Sequence, residues 1–192
     1  MKSILVLLNL CFLLLSTPSQ ACTPSSLDRL QAMQATMMLS NNGRYLVKII
    51  PGRWVQEKRR ITLKRSPYLL AFKILKNGQL EQVWSMKSES EHGARMFISN
   101  DGQSLVTLQN PKQYEDSVLT LFRNGKKMRS YAARAFGIQE NHLQILPCDG
   151  RHRWVHGKRG SVHYSRGALI IRTVTGSLYK LDMKTGVLTP HN

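Results

Sequence analysis

The side chains best suited to binding or catalysis lie in residues 151–164, where basic, aromatic and imidazole groups are interspersed (RHRWVHGKRGSVHY). In a strand, His152, Trp154 and His156 point to one side and the intervening residues to the other. Arginine makes bidentate contacts with anionic groups, and tryptophan or histidine offers a face for stacking or for packing on sugars. The stretch therefore indicates a site for an anionic polymer. The alternative is a core tryptophan flanked by solvated basic residues.

Two histidines on one face also suggest a metal site, which Cys148 or His163 would complete. The spacing matches no closed zinc pattern, however, and Cys148 is better used in a disulfide. We therefore predict no metal and no cofactor.

A second stretch repeats the first. Residues 53–59 (RWVQEKR) recur one hundred positions later as residues 153–159 (RWVHGKR), with five identities in seven. If repeated units place equivalent residues on one rim, the two segments present their basic groups side by side. The predicted basic and aromatic binding face consists of Arg53, Trp54, Lys58, Arg59, Arg151, Arg153, Trp154, Lys158 and Arg159.

The first 21 residues have the features of a secretory signal peptide. A lysine precedes an apolar run at residues 4–15 that is interrupted only by Asn9, and Ser19 and Ala21 occupy the two small-residue positions of a cleavage site. We predict cleavage after Ala21 and a periplasmic or secreted protein. The run is shorter than the roughly 20 residues of a transmembrane helix, so we expect no membrane span in the mature chain. Lipid attachment at Cys22 is less favoured, because Ser19 stands where lipidation usually requires an aliphatic residue.

The charge of the chain is its strongest compositional feature. Its 192 residues include 28 Lys and Arg against 11 Asp and Glu, for a net charge of +17. Such an excess attracts polyanions, for example lipopolysaccharide, phospholipid headgroups or wall polymers. A basic surface that is merely solvated is the alternative. We predict an anionic envelope polymer or a protein as partner, and no intracellular nucleic acid because the chain is exported.

After cleavage, two cysteines remain, Cys22 and Cys148. In an oxidising compartment they are expected to form one disulfide, which would join the N-terminus to the later part of the chain. The alternative is that both stay unpaired.

Catalysis has little support in the sequence. No nucleophile-elbow, zinc-protease or phosphate-loop motif occurs, and the acids are few and scattered. A non-catalytic binding or assembly protein is therefore the leading hypothesis. The alternative is an enzyme that acts on an anionic envelope polymer through the loop carboxylates of Glu89, Glu91, Glu115 and Asp116. Convergence of these acids in one cleft would favour the enzyme.

The elements that must position these residues are repeated hairpins. Residues 37–49 (MMLSNNGRYLVKI) and 96–108 (MFISNDGQSLVTL) each join two apolar runs through a polar turn that ends in glycine, and a weaker third copy occupies residues 144–151. Asx-Gly pairs between β-forming residues are the strongest short-range hairpin signal. Two further hairpins are predicted at the Asn-Gly pairs 77–78 and 124–125.

Ahead of the repeats, residues 25–33 favour a short helix. Ser26 is its N-cap, and Leu27, Leu30 and Met33 fall on one side. We expect this helix to plug one end of the β domain.

The repeats resemble known blade motifs. Ser99-Asn100-Asp101-Gly102 resembles the Ser-x-Asp-Gly turn of TolB-type propeller repeats, and residues 178–186 (LYKLDMKTG) resemble the closing segment of quinoprotein-like blades. The chain is thus similar to small exported bacterial proteins of propeller-repeat type, and this resemblance implies no particular activity.

The resulting fold class is all-β, with blade-like antiparallel β-meanders in about three repeat units that form a single domain over residues 22–192. Three units are too few for an ordinary closed propeller of four or more blades. The chain is therefore expected to be a compact three-unit fold, an open fragment, or half of an oligomer that closes the ring.

Overall fold

The computed structural model describes residues 37–57, 60–88, 95–146, 150–158 and 160–191. Several sequence predictions fall outside these ranges and stay predictions: the signal peptide, the helix at residues 25–33, the Cys22–Cys148 disulfide, and the roles of Lys58, Arg59, Glu89, Glu91 and Arg159. No helix in the described ranges is long and apolar enough to cross a membrane.

The described chain forms three four-stranded antiparallel sheets, each a meander. The first sheet has the order β1 (Met37–Leu39), β2 (Tyr45–Ile50), β5 (Tyr68–Ile74) and β6 (Leu80–Lys87). Between its second and third strands, a separate hairpin is formed by β3 (Arg53–Glu57) and β4 (Arg60–Arg65).

The second and third sheets follow the same plan. The second consists of β7 (Arg95–Ile98), β8 (Ser104–Leu108), β9 (Ser117–Arg123) and β10 (Lys126–Ala132). Two short 3-10 turns (Ala133–Phe136 and Glu140–His142) and a two-stranded ladder, β11 (Gln144–Ile145) with β12 (His152–Arg153), lead to the third sheet. The third consists of β13 (Val162–Ser165), β14 (Ala168–Arg172), β15 (Leu178–Asp182) and β16 (Leu188–Pro190).

The all-β prediction of blade-like meanders is confirmed, and the position of the third unit is corrected. The predicted third copy, residues 144–151, closes only the β11–β12 ladder. The third four-stranded sheet starts later, at Val162, and its first hairpin turns at Arg166 and Gly167, both with positive φ (45° and 83°). Arginine rarely adopts this conformation, so the turn gives no recognisable signal in the sequence.

Hydrophobic cores fill the two spaces between consecutive sheets. One contains Val47, Leu69 and Trp84 of the first sheet with Leu105 and Phe122 of the second. The other lies between the second and third sheets. Every residue of β8 is buried because this strand has a sheet on each side, which explains its nearly continuous apolar sequence.

The Ser-x-Asx-Gly turns of the first two sheets share one hydrogen-bond pattern. Ser40 Oγ donates to Asn42 Oδ1 (2.7 Å) and accepts from the Tyr45 N–H (3.0 Å). Ser99 makes the same two bonds, since its Oγ donates to Asp101 and accepts from the N–H five residues later (2.9 Å). The repeat seen in the sequence is thus a repeat of atomic contacts.

The same two turns also contact each other. The Asn42 N–H donates to Asn100 Oδ1 (3.0 Å), and the Asn42 side-chain amide donates to the Asn100 carbonyl (2.9 Å). Gly102 (φ 71°) lies against the ring of Tyr45 so closely that a Cβ would overlap it. Its carbonyl accepts from Trp84 Nε1 (2.7 Å). These contacts fix the second sheet on the first.

The sheets share a common direction, which gives the stack two distinct ends. The turn end carries the glycine turns that join the first two and the last two strands of each sheet, for example at Gly102 and Gly125. The loop end carries the longer connections between the second and third strands, at residues 51–67, 109–116 and 173–177. Most of the binding residues predicted from the sequence lie at the loop end.

Asp182 caps the last turn of the third sheet. Its Oδ1 accepts from the backbone N–H groups of Thr185 (2.7 Å) and Lys184 (2.9 Å). The hydrogen bond from Thr185 is the main reason that the pKa of Asp182 lies below its ordinary value of 3.8; desolvation opposes this shift and the charge of Lys180 adds to it. The ionised carboxylate is therefore the form that the folded turn favours.

This lowered pKa predicts an acid-dependent contribution to stability. Because the folded pKa lies below the unfolded one, the contribution is complete above the unfolded pKa and is lost as the pH falls through the folded pKa. We expect Asp182→Asn to lower the free energy of unfolding at pH 7 and the difference from the parent to shrink below about pH 4. Urea titrations of both proteins at pH 7, 4 and 3 test this, and a difference that is independent of pH would contradict it.

Candidate anion-binding cleft

A cleft of about 210 Å³ opens at the loop end between the second sheet and the segment that precedes the third. Its walls come from the start of β7, from the end of β8 with the residues after it, and from residues 153–157. The lining residues are Arg95, Leu108, Gln109, Asn110, Leu146, Arg153, Trp154, Val155, His156 and Gly157.

Trp154 is the inner wall of this cleft and belongs to the core. Its side chain is 1% exposed, its ring centroid lies 4.8 Å from that of Phe136, and its Nε1 donates to the Gln109 carbonyl (2.8 Å). The predicted role of Trp154 as an exposed stacking face is therefore wrong. Burial of an indole is favourable because its large apolar area leaves water while its N–H still finds a partner.

Backbone pairing with the third sheet holds residues 154–156 in place. Val155 forms a bridge with Thr173, the His156 N–H donates to the Arg172 carbonyl (3.0 Å), and the Val174 N–H donates to the Trp154 carbonyl (2.9 Å). The opposite wall belongs to the second sheet. The cleft therefore exists only when these two sheets are packed together.

Three groups that carry or can carry positive charge line the cleft. Arg95 and Arg153 are exposed, and His156 is half-buried. Arg153 folds across the backbone of Gly157, with its Nη1 3.2 Å from where a Cβ of residue 157 would lie. Within the described part of the chain, the lining contains no aspartate or glutamate. The arrangement suits an anionic group, to which two guanidinium groups can donate hydrogen bonds.

The other predicted binding residues lie around this end of the molecule. Lys158 is exposed directly after the cleft, and Arg151 accepts through its carbonyl from the Leu146 N–H (2.7 Å), which closes the β11–β12 ladder. Arg53 is exposed on β3, and Trp54 is paired through its backbone with β4.

The two RWV segments do not occupy equivalent positions in the repeats. Residues 53–57 lie in the hairpin inserted inside the first sheet, whereas residues 153–155 lie in the connection between the second and third sheets. Both are at the loop end, but the premise that repetition places them side by side is not supported by the topology.

The described acids of the enzyme hypothesis have structural roles. Glu115 forms an exposed ion pair with Arg134 (3.1 Å). Asp116 Oδ2 accepts from the backbone N–H groups of Lys112 (3.0 Å) and Gln113 (2.9 Å), which shapes the loop. Asp116 also borders a separate cavity of about 280 Å³ between the first two sheets. Asp116 is thus used in shaping the loop, whereas Glu115 makes only an exposed ion pair.

A metal centre is not suggested by the side chains that the structure describes. No three His, Cys, Asp or Glu residues come together there in a way that could hold an ion.

Arg95 is the cleft residue that sequence reasoning missed. It opens β7 directly before the second apolar repeat, fifty-eight residues ahead of Arg153. Its pairing with Leu108 across the ladder brings it to the loop end. Only the register of the β7–β8 hairpin could have revealed the position of Arg95. The first residue of a hairpin lies beside the last residue of its second strand, and therefore next to the loop that follows.

Comparison with known proteins gives a remote structural similarity. Among solved structures, the chain is similar to the periplasmic gluconolactonase PpgL of Pseudomonas aeruginosa, with a TM-score of 0.43 and 14% sequence identity over 82% of this chain and 44% of that protein. The chain therefore spans less than half the length of that structure. No family model and no curated protein matches the sequence.

Proposed function

We propose that this chain is an exported, non-catalytic binding protein of the bacterial envelope, and that it holds an anionic polymer at the loop end. The observation that carries the proposal is the cleft itself, where Arg95, Arg153 and His156 surround one opening. Export is inferred from the predicted signal peptide in residues 1–21, and the attraction to polyanions from the net charge of +17.

The size of the cleft favours one charged group of a longer polymer. Sites for whole small molecules usually enclose about 300–1,000 Å³, and this cleft of about 210 Å³ is smaller. A phosphate, sulfate or carboxylate can enter it while the rest of the polymer follows the exposed basic residues outside. Lys158 lies where such a polymer would leave the cleft.

The enzyme hypothesis has less support. Glu115 and Asp116 are engaged in an ion pair and in a loop cap, and neither lines the basic cleft. A hydrolytic pair of carboxylates flanks the bond that is cleaved. A binding role follows more directly from the described geometry.

The proposal predicts that the location of charge matters more than its amount. The double variant Arg95→Glu, Arg153→Glu is expected to elute from heparin at a markedly lower salt concentration than the parent, because the anion then meets two carboxylates. The matched control is Arg44→Glu, Lys73→Glu, which makes the same change in net charge at the turn end, where both residues are exposed.

Equal shifts for the two double variants would contradict a cleft and indicate diffuse attraction. Elution of the parent near physiological salt would contradict polyanion binding as a function, and a protein partner would then be the hypothesis to pursue. Vesicles with anionic headgroups serve as a second probe with the same four substitutions.

A further inference from the structure

The turn glycines show that the sheets are stacked in one direction. A Cβ on Gly125 of the second sheet would lie 2.7 Å from the Ser85 carbonyl oxygen of the first, and one on Gly102 would overlap Tyr45 of the first. In the third sheet, Gly186 is placed in the same way against Leu121 of the second, at 2.9 Å. The turn between the last two strands thus rests on the preceding sheet in both the second and the third sheet, whereas a Cβ on Gly167, in the first hairpin of the third sheet, would meet nothing within 4 Å.

The first sheet has no such support on its own outer side. Its corresponding glycines, Gly43 and Gly78, have open space within 4 Å of the Cβ position in the described structure. They adopt the same positive φ values (69° and 80°) as their counterparts. The stack therefore ends at the first sheet with one face uncovered by another sheet.

That uncovered face is largely apolar over its first three strands, β1, β2 and β5. Since Val47, Ala71 and Trp84 point to the second sheet, their neighbours along each strand point outward. Met37 and Leu39 are 64% and 62% exposed. Val83 is 43% exposed on the same face, Leu70 and Phe72 are half-buried there, and Leu46 is buried. The face also holds the exposed Lys48, Gln82 and Ser85.

The other end of the stack is closed by polar side chains. On the outward face of the third sheet, one cross-strand row contains the exposed His163, Lys180 and Thr189 around Ile170. Repeat proteins commonly end in a unit whose outer face is polar. Ring closure by a second copy would press the apolar first sheet against this polar, basic face, and the two do not complement each other.

We propose that residues 22–36 form the missing cap and bind across the outward face of the first sheet. This segment enters the described structure at Met37, the first residue of the edge strand β1. Its predicted helix places Leu27, Leu30 and Met33 on one side, which supplies an apolar stripe for the apolar face. The one acid of the segment, Asp28, is available to Lys48.

The dimensions of helix and sheet agree. From its N-cap, Ser26, to Met33, the predicted helix has eight residues and is about 12 Å long. Neighbouring strands lie about 4.8 Å apart, so a four-stranded sheet is about 14 Å wide between its outermost strands. Three residues, 34–36, remain to connect the helix to β1. The cap therefore fits the sheet without any further chain.

The test uses the mature chain, residues 22–192, with Leu27→Asp and Leu30→Asp. We expect a several-fold increase in the fluorescence of the dye ANS and faster hydrogen exchange in β1, because the apolar face becomes accessible. The matched control is Ser25→Asp, Ala32→Asp, which adds the same charge away from Leu27, Leu30 and Met33 and should behave like the parent.

Two results would overturn the proposal. If both double variants match the parent in dye binding and exchange, the segment does not cover the face. If light scattering shows a parent dimer that Leu39→Asp dissociates while Leu27→Asp, Leu30→Asp leaves it intact, a second copy covers the face instead. A monomeric parent with the expected response of the first variant supports the cap.

Discussion

Replacement of Gly102 by alanine is expected to destabilise the protein far more than the same replacement at Gly43. Both glycines have positive φ, near 70°, in turns with the same hydrogen bonds. For alanine, this left-handed conformation costs about 1–2 kcal/mol at either position. At Gly43 there is open space for the added methyl group, so we expect no more than this cost.

At Gly102, steric overlap adds to the conformational cost. The methyl group would collide with the ring of Tyr45, which itself packs against the core between the first two sheets. Overpacking of this kind typically costs a further 1–3 kcal/mol or so. The turn would also pull its carbonyl away from Trp84 Nε1. We expect a total loss of about 2–5 kcal/mol, from the sum of these two terms.

Urea denaturation of the two variants measures this difference directly, since each ΔG of unfolding is compared with the same parent. A double-mutant cycle with Tyr45→Ala isolates the collision: Gly102→Ala should cost about 1–3 kcal/mol less in that background. Equal costs at Gly43 and Gly102 would show that the contact of the Gly102 turn with Tyr45 does not hold the first two sheets together.

Trp154→Ala is expected to have the second large effect, and it concerns stability. The side chain is fully buried against Phe136, so its removal leaves a cavity and should lower the free energy of unfolding by about 3–5 kcal/mol. The Gln109 carbonyl loses its donor as well. Trp154→Phe should cost less because it retains most of the apolar contacts.

The exposed neighbour Arg153 provides a control for Trp154→Ala. Arg153→Ala should change the free energy of unfolding by no more than about 0.5 kcal/mol while weakening the retention on heparin. A Trp154→Ala variant that keeps its stability and loses only polyanion binding would restore the interpretation of Trp154 as an exposed ligand platform.

Turn chemistry explains how much of the fold could be predicted from sequence. The hairpins at Gly43, Gly78, Gly102 and Gly125 were predictable because an Asx-Gly pair determines the backbone conformation over only a few residues. The turn at Arg166 and Gly167 was not predictable, because arginine is not a residue type that indicates a positive φ. The third unit was therefore placed too early.

The candidate site was predictable only in part, because it depends on how the sheets stack. The run of basic residues around Arg153 indicated its location and its preference for anions. The position of Trp154 inside the core and the presence of Arg95 follow from the packing of the second sheet against residues 153–157. The identity between residues 53–55 and 153–155 was misleading, since similarity over three to seven residues does not determine a position in the topology.

The salt dependence of heparin binding by the parent and the two charge-reversed variants tests the central claim most directly. Each cation that displaces a counterion steepens the fall of log K with log salt concentration. We predict a steep slope for the parent, a slope reduced by roughly one to two for Arg95→Glu, Arg153→Glu, and a nearly unchanged slope for Arg44→Glu, Lys73→Glu. Identical slopes for both variants, or a shallow slope for the parent, would contradict an anion-binding cleft at the loop end.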